Sequence, residues 1–384
     1  MDNIHLEFIQ VKNYFSIKNI TLSGLSQSKE IYFLGENGDG KTLVLQAVLL
    51  AFVNSKLNSP NYESFFDTEE VGKIKNCLNA NPNFVADYNG DRLYELLKGK
   101  DFFYSIFAYG ANRNKSTADK GGKDGYGTQG YLTLFDNSRA LKSPTQWLKD
   151  LKLEGQNATI NIENAIKLLE EILDNDVKIK IEGSKVLFFE RDTKLEFEQL
   201  SDGFKSVMTW VADLVARLAD NQSNITKIQD FEGIVLVDEI NLHLHPKWER
   251  NLVKKLRTWF PNIQFFFTTH SPTMLLSASK DAVFYKVYKE NGQTNVSEPM
   301  PCEKFAGMMA NNIITSSLFD LDNAFMEISQ HETANLDTSE NYLESKIRAI
   351  LSKEKEKNNK KHFNESELDA ILNDAFEKYK NGTL

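Results

Sequence analysis

Gly35-Glu36-Asn37-Gly38-Asp39-Gly40-Lys41-Thr42 sets glycines, a lysine and a hydroxyl at the spacing G-x-x-x-x-G-K-[ST]. Glycines at these places let backbone N–H groups turn inward onto phosphates, and a helix that follows adds the positive end of its dipole. Lys41 then reaches the β- and γ-phosphates, the Thr42 hydroxyl binds Mg²⁺, and the main chain of Gly35, Asn37, Gly38, Gly40 and Leu43 forms the cradle. The flanking sequence supplies the required context. Ile31 to Leu34 is a short apolar run suited to a buried strand, and Leu43 to Leu50 is an apolar helical stretch.

Two acids and a histidine lie farther along. Ile234 to Val237 is a second buried-strand run, and it ends in Asp238-Glu239. Acids at the carboxyl end of a strand sit where open α/β sheets bind ligands. In the Walker B arrangement Asp238 holds Mg²⁺ and Glu239 orients or deprotonates the attacking water; the alternative is a strand ending in a solvated acidic turn. The next β-rich run, Ile263 to Phe267, ends at Thr268, Thr269 and His270. One strand–helix–strand unit separates His270 from the acids. It is therefore expected on the neighbouring strand end, within reach of a γ-phosphate. Hydrolysis in such sites comes mainly from positioning and charge stabilisation. His243 and His245 alternate in an extended segment without a third ligand at metal spacing, and structural or dimer-contact roles are expected for them.

Between these sites stands Leu200-Ser201-Asp202-Gly203-Phe204-Lys205-Ser206. Ser201 is placed to N-cap a long amphipathic helix. A glycine inside the first turn costs about 1 kcal/mol against alanine, so its presence asks for a close backbone approach.

The four motifs in this order resemble those of ABC-type ATPases of the SMC/RecF-like group. Within that group the chain is similar to the bacterial AAA-family ATP-binding proteins found with OLD, Septu and PARIS phage-defence systems. The N-terminal stretch FIQVKNYFSIKNITL resembles the first strands of the group, LSDGFKS its signature, and VLVDEINLHLHP and FFFTTHSP are near-literal matches. The resemblance covers residues 1–52 and 185–320. It implies an α/β ABC-type head, a mixed sheet with flanking helices, over residues 1–321. Helical insertions are expected near 53–100 and 111–175, and a polar helical extension over 322–384. It implies ATP and Mg²⁺ as ligands and an ATP-dependent homodimer in which Ser201 and the N–H of Gly203 meet the γ-phosphate held by the other copy. A separate nuclease or toxin effector is implied as partner, with nucleic-acid contact and higher assembly left open. Asp202 departs from the usual glycine and must point away from a phosphate. Phe15 stands where many relatives carry arginine; Tyr14 or Phe15 either stacks on the base or packs in the core. The usual Q-loop glutamine is not obvious. Arg113, after a strand ending at Gly110, either approaches the phosphates or is a solvated loop arginine, and Gln129 is the weaker candidate.

The bulk numbers fit that reading. The chain has 384 residues, 41% hydrophobic and 26% charged, with a net charge of −9, which disfavours general nucleic-acid binding. Two cysteines, no signal peptide and no apolar run of membrane-spanning length point to a reducing cytoplasm. Residues 111–130 read as a surface loop with Arg113, Lys115, Lys120 and Lys123. Residues 144–175 read as two helices, and Val177–Ile181 and Lys185–Phe189 as strands turning at Gly183. The tail carries a helix whose apolar face includes Leu368, Ile371, Leu372 and Phe376, and it lacks the clustered acids of a nuclease. A RecF-like DNA-repair ATPase and a transporter nucleotide-binding subunit are the rival readings.

Overall fold

The computed structural model describes residues 5–55, 83–88, 106–117, 131–135 and 140–305. Strands β1 (Leu6–Tyr14), β2 (Ile17–Ser23) and β3 (Glu30–Leu34) precede helix α1 (Lys41–Ser55). Strands β4 (Asn83–Tyr88), β5 (Ile106–Tyr109), β6 (Ser116–Thr117) and β7 (Leu141–Lys142) follow, then α2 (Pro144–Glu154) and α3 (Ile162–Ile172). A meander of β8 (Val177–Glu182), β9 (Lys185–Glu190) and β10 (Thr193–Leu195) leads into α4 (Asp202–Asn221). The described residues end with β11 (Gly233–Val237), α5 (Pro246–Trp259), β12 (Ile263–Thr269), α6 (Pro272–Leu275), β13 (Val283–Glu290), β14 (Gln293–Val296) and β15 (Met300–Pro301).

The main sheet runs β14-β13-β3-β12-β11-β5, with β15 also on β13. Neighbours from β13 to β5 are parallel, whereas β14 and β15 pair antiparallel. This is the mixed α/β sheet expected. Its parallel strands are buried on both faces, so they read as unbroken apolar runs rather than alternating ones. Successive residues divide between two cores. Tyr32, Leu34, Val235, Val237, Phe265 and Phe267 face a core shared with α2 to α5. Ile31, Phe33, Ile234, Leu236 and Phe266 face another, shared with α1 and the β1–β2 ribbon.

Two expectations change. α4 is not amphipathic in place: apart from Lys205 it is buried from Gly203 to Ala219. Its buried ion pair is satisfied internally, whereas the Thr209 hydroxyl is buried without a partner among the described residues. Asp213 takes Arg217 Nε at 2.7 Å, the Tyr109 hydroxyl at 3.1 Å and the Lys142 N–H at 2.9 Å. The stretch 53–100 contributes β4, a strand paired antiparallel to β1, while its expected helical part lies outside the described residues. The tail helix, Lys120, Lys123 and Gln129 also lie outside them. β8 and β9 form as expected, with Gly183 in the turn at φ +59°.

Candidate active site

The loop from β3 to α1 holds its glycines for two different reasons. A Cβ on Gly35 would lie 2.3 Å from the Val287 carbonyl oxygen, and one on Gly40 2.6 Å from Thr294 Oγ1, so the β13–β14 hairpin packs against bare backbone. Gly38 has open space around it and needs only its φ of +95°, which L-residues rarely adopt. Asp39 Oδ2 accepts the Glu36 N–H at 2.8 Å and tightens the loop. Lys41 opens α1, is 4% exposed, and donates to the Gly35 and Glu36 carbonyls, both at 3.0 Å. Asn37 is exposed in the loop, and Thr42 and Leu43 follow in the first helical turn.

Beside this loop β11 ends at its two acids. The Thr42 hydroxyl donates to Asp238 Oδ2 at 2.8 Å, and the Thr268 hydroxyl to Asp238 Oδ1 at 2.5 Å. Burial pushes the Asp238 carboxyl above the usual carboxylate range, and these two hydroxyl bonds only partly oppose it. A threonine hydroxyl and a carboxylate converging at the mouth of a phosphate loop are hard oxygen donors, the set that suits Mg²⁺ when phosphates supply the rest. Among the described residues no group of three His, Cys, Asp or Glu side chains converges as a metal cluster.

Glu239 sits one residue on, in the left-handed region at φ +46°. Its Oε1 lies 3.5 Å from Lys41 Nζ and its Oε2 3.0 Å from His270 Nδ1. The expected catalytic trio of Lys41, Glu239 and His270 is therefore contiguous. β11 and β12 are direct neighbours, which brings His270 to Glu239, and the imidazole is 48% exposed, facing outward.

Arg113 is not a solvated loop residue. It is 1% exposed. Its Nη1 donates to the Gly110 carbonyl at 3.0 Å and to the Asp238 carbonyl, and its Nη2 to the Glu239 carbonyl at 2.9 Å. Desolvation lowers its guanidinium to about 10 against the pull of the two acids. Tyr14 packs in the core at 1% exposure, while Phe15 is 62% exposed. Thr268 carries no assigned role in the sequence reading. Besides holding Asp238, its hydroxyl oxygen accepts the Glu239 N–H at 2.7 Å. The available signal was the change from phenylalanines to threonines at the end of β12.

The signature segment answers its own glycine. A Cβ on Gly203 would stand 2.5 Å from the His243 carbonyl oxygen. His243 lies in the loop after the acids at φ +64°, so the start of α4 is packed directly on that loop. Ser201 caps α4 through the Phe204 N–H at 3.4 Å. Asp202 forms an ion pair with Lys205 at 2.9 Å, and that bond lowers its carboxyl pKa. His245 N-caps α5 through the Lys247 N–H at 3.2 Å, a structural role as expected.

A family model described as "AAA domain, putative AbiEii toxin, Type IV TA system" matches residues 33–276. The chain is similar to a Septu protein PtuA of Bacillus mycoides, 27% identical over 85% of this chain and 46% of that one. It is also similar to a Septu protein PtuA of Bacillus thuringiensis, 27% identical over 64% of this chain and 67% of that one. A retron Ec83 probable ATPase of Escherichia coli is 33% identical over 36% of this chain and 26% of its own length. This chain thus spans about half the length of the first of these relatives and about a quarter of the retron protein. Among solved structures an SMC head bound to a ScpA domain matches with a TM-score of 0.45 and 14% identity over 78% of this chain and 98% of that one. Since the family model spans the phosphate loop, the signature, the acid pair and His270, the chain belongs to this AAA-domain family.

Proposed function

We propose that this chain binds and hydrolyses ATP with Mg²⁺, and that closure of two copies on ATP governs a separate nuclease or toxin in cytoplasmic defence against phage. One observation carries the enzymatic part: Lys41, Thr42, Asp238, Glu239 and His270 converge at the carboxyl ends of three adjacent parallel strands. The main chain of Gly35, Asn37, Gly38, Gly40 and Leu43 holds phosphates, and Lys41 exchanges two carbonyls for phosphate oxygens. Thr42 and Asp238 hold Mg²⁺, which neutralises charge on the phosphates. Glu239 orients and deprotonates the attacking water, with Thr268 fixing its backbone and His270 bonded to its carboxylate and facing the γ-phosphate. Ser201 and Gly203 of a second copy complete the site at the N-terminus of α4, where an anion is favoured.

Similarity to Septu PtuA proteins and to a retron probable ATPase supports the setting in defence. The part of the chain after residue 321 is proposed as an extension for assembly or partner contact. Among the described residues no helix is long and apolar enough to cross a membrane.

The test is Glu239→Gln given Mg²⁺ and ATP. The expected outcome is no phosphate release, retained ATP, a particle mass of at least a dimer, and co-purification of an effector from the native host. Normal turnover would remove Glu239 as the base. A bare homodimer carrying DNA would favour the repair-type ATPase.

A further inference from the structure

We propose that Arg113 is a positioning residue for hydrolysis, clamping the turn that presents Asp238 and Glu239 to the nucleotide; this rests on the ATPase reading above. The parallel ladder between β5 and β11 runs one residue past β11, with the Asp238 N–H on the Tyr109 carbonyl at 2.8 Å. Beyond it Glu239 turns into the left-handed region at φ +46°. A residue with a Cβ keeps that conformation only when its surroundings over-determine it. Thr268 takes the Glu239 N–H from one side, and the Ile240 N–H goes to the Thr268 carbonyl at 3.0 Å. From the other side the two Arg113 terminal nitrogens cover the carbonyls of Asp238 and Glu239 in succession.

That fork suits a guanidinium and no other side chain: it is planar, keeps its charge, and spans two neighbouring acceptors. Arg113 Nε has no acceptor among the described residues, so the terminal nitrogens carry the whole anchorage. The base of the clamp is fixed as well. Gly110 supplies a third carbonyl, and a Cβ there would lie 2.1 Å from the Thr133 carbonyl oxygen, so this backbone has no room to shift. Burying a guanidinium is costly unless negative charge offsets it, and here the offset comes from the acids whose main chain it holds. The result is a fixed direction for the Glu239 side chain, between Lys41 and His270. Arg113 lies in the segment where the family resemblance suggests a nucleotide contact, and its atoms go to the acid turn instead.

The experiment compares wild type, Glu239→Gln, Arg113→Ala and Arg113→Lys for kcat, KM for ATP and thermal midpoint, with methylguanidinium added to Arg113→Ala. Misplacing a catalytic group by about 1 Å costs on the order of 100-fold, so Arg113→Ala should lose about that much kcat with KM within about twofold. Methylguanidinium should restore part of the lost kcat. Arg113→Lys should keep KM with an intermediate kcat, and it carries the test alone if the alanine variant does not fold. A folded Arg113→Ala or Arg113→Lys with wild-type kcat overturns the proposal. So does a KM raised about tenfold at unchanged kcat, which would mean direct contact with nucleotide. If Glu239→Gln is dead while Arg113→Ala turns over normally, only the clamp fails; if wild type never releases phosphate, the ATPase reading fails with it.

Discussion

The two ends of the main sheet each bury a carboxylate and use it differently. Glu30 opens β3 at the amino end and is 1% exposed; Asp238 follows β11 at the carboxyl end and is 3% exposed. Burial raises both carboxyl pKa values. Glu30 is locked by permanent partners: Arg257 Nε at 3.2 Å, the Ser279 N–H at 3.1 Å and the Tyr32 hydroxyl at 3.1 Å. Nearby Gln264 ties β12 to the backbone of Leu6, Leu25 and Ser28. Asp238 is held by two neutral hydroxyls; Arg113 acts on its carboxylate only through space, since its hydrogen bond goes to the main-chain carbonyl. Neutral, rotatable donors leave the negative charge in place for a divalent ion to use. The amino end spends its polar groups on closure, and the carboxyl end keeps charge in reserve.

The contrast predicts that substitutions at the carboxyl end remove function and spare stability, with the reverse at the amino end. Lys41→Ala should have the largest effect. It removes charge-assisted bonds worth about 1.5–3 kcal/mol each, so ATP affinity should fall on the order of 100-fold or more by calorimetry while the thermal midpoint barely moves. Asp238→Asn should abolish Mg²⁺-dependent turnover. Because the folded-state pKa of Asp238 is raised, the native protein binds that proton more readily than the unfolded chain, and stability falls as pH climbs from 3.8 through the folded value. Above that window the buried charge is a standing cost. Asp238→Asn should therefore melt at or above the wild-type temperature at pH 7, with the difference closing in acid. Glu30→Gln should do the opposite: relief of its own buried charge offsets part of the loss, but Arg257 is left without its main partner, so melting should fall modestly with kcat near wild type. If Asp238→Asn melted lower and Glu30→Gln lost activity, the division between the two ends would be wrong.

Gly203→Ala tests the border between the two behaviours. Its Cβ must displace the His243 carbonyl, which should cost about 1–3 kcal/mol as overpacking and lower turnover by disturbing the loop after the acids. A variant with unchanged melting and lost ATP-dependent dimerisation would instead assign the glycine to the second copy's phosphate alone.

Such contacts mark where the sequence stopped being readable. The phosphate loop, the acid pair and the strand runs at Ile31–Leu34 and Ile234–Val237 were legible because their chemistry is local: adjacent residues carry both the fold signal and the function. Gly203 was visible as an anomaly, but its neighbour His243 lies 40 positions on, and no periodicity links them. Arg113 stays open between two readings in the sequence for the same reason. It follows a strand in a polar stretch, which favours a solvated loop, and only the β5–β11 pairing carries it under the acids. The burial of α4 from Gly203 to Ala219 is hidden in the sequence because Asp213 and Arg217 look solvent-seeking until Tyr109 and the Lys142 backbone arrive to pair with Asp213.

Phe15 should give the smallest functional effect. It lies in the turn between β1 and β2 at φ +48°, with its ring edge-on to Tyr14 at a centroid distance of 4.9 Å. Its position follows from the chain around it. Ser16 accepts the Thr294 N–H at 3.0 Å, and the Thr294 hydroxyl donates to the Asp39 carbonyl at 3.0 Å, so the turn is strapped to the phosphate loop. Phe15 is 62% exposed beside this loop, and under the proposed ATP site its ring is the candidate to stack on the base. A stacking contact near the low end of its range, about 1 kcal/mol, corresponds to roughly a fivefold rise in KM for ATP in Phe15→Ala, with kcat and melting unchanged. Phe15→Trp should keep the wild-type KM, since any flat ring can serve. If the alanine variant binds as tightly as wild type, the exposed ring does not touch the base, and adenine recognition must be sought elsewhere around the loop. If it melts lower instead, the Tyr14–Phe15 edge contact belongs to the closed, structural part of the molecule.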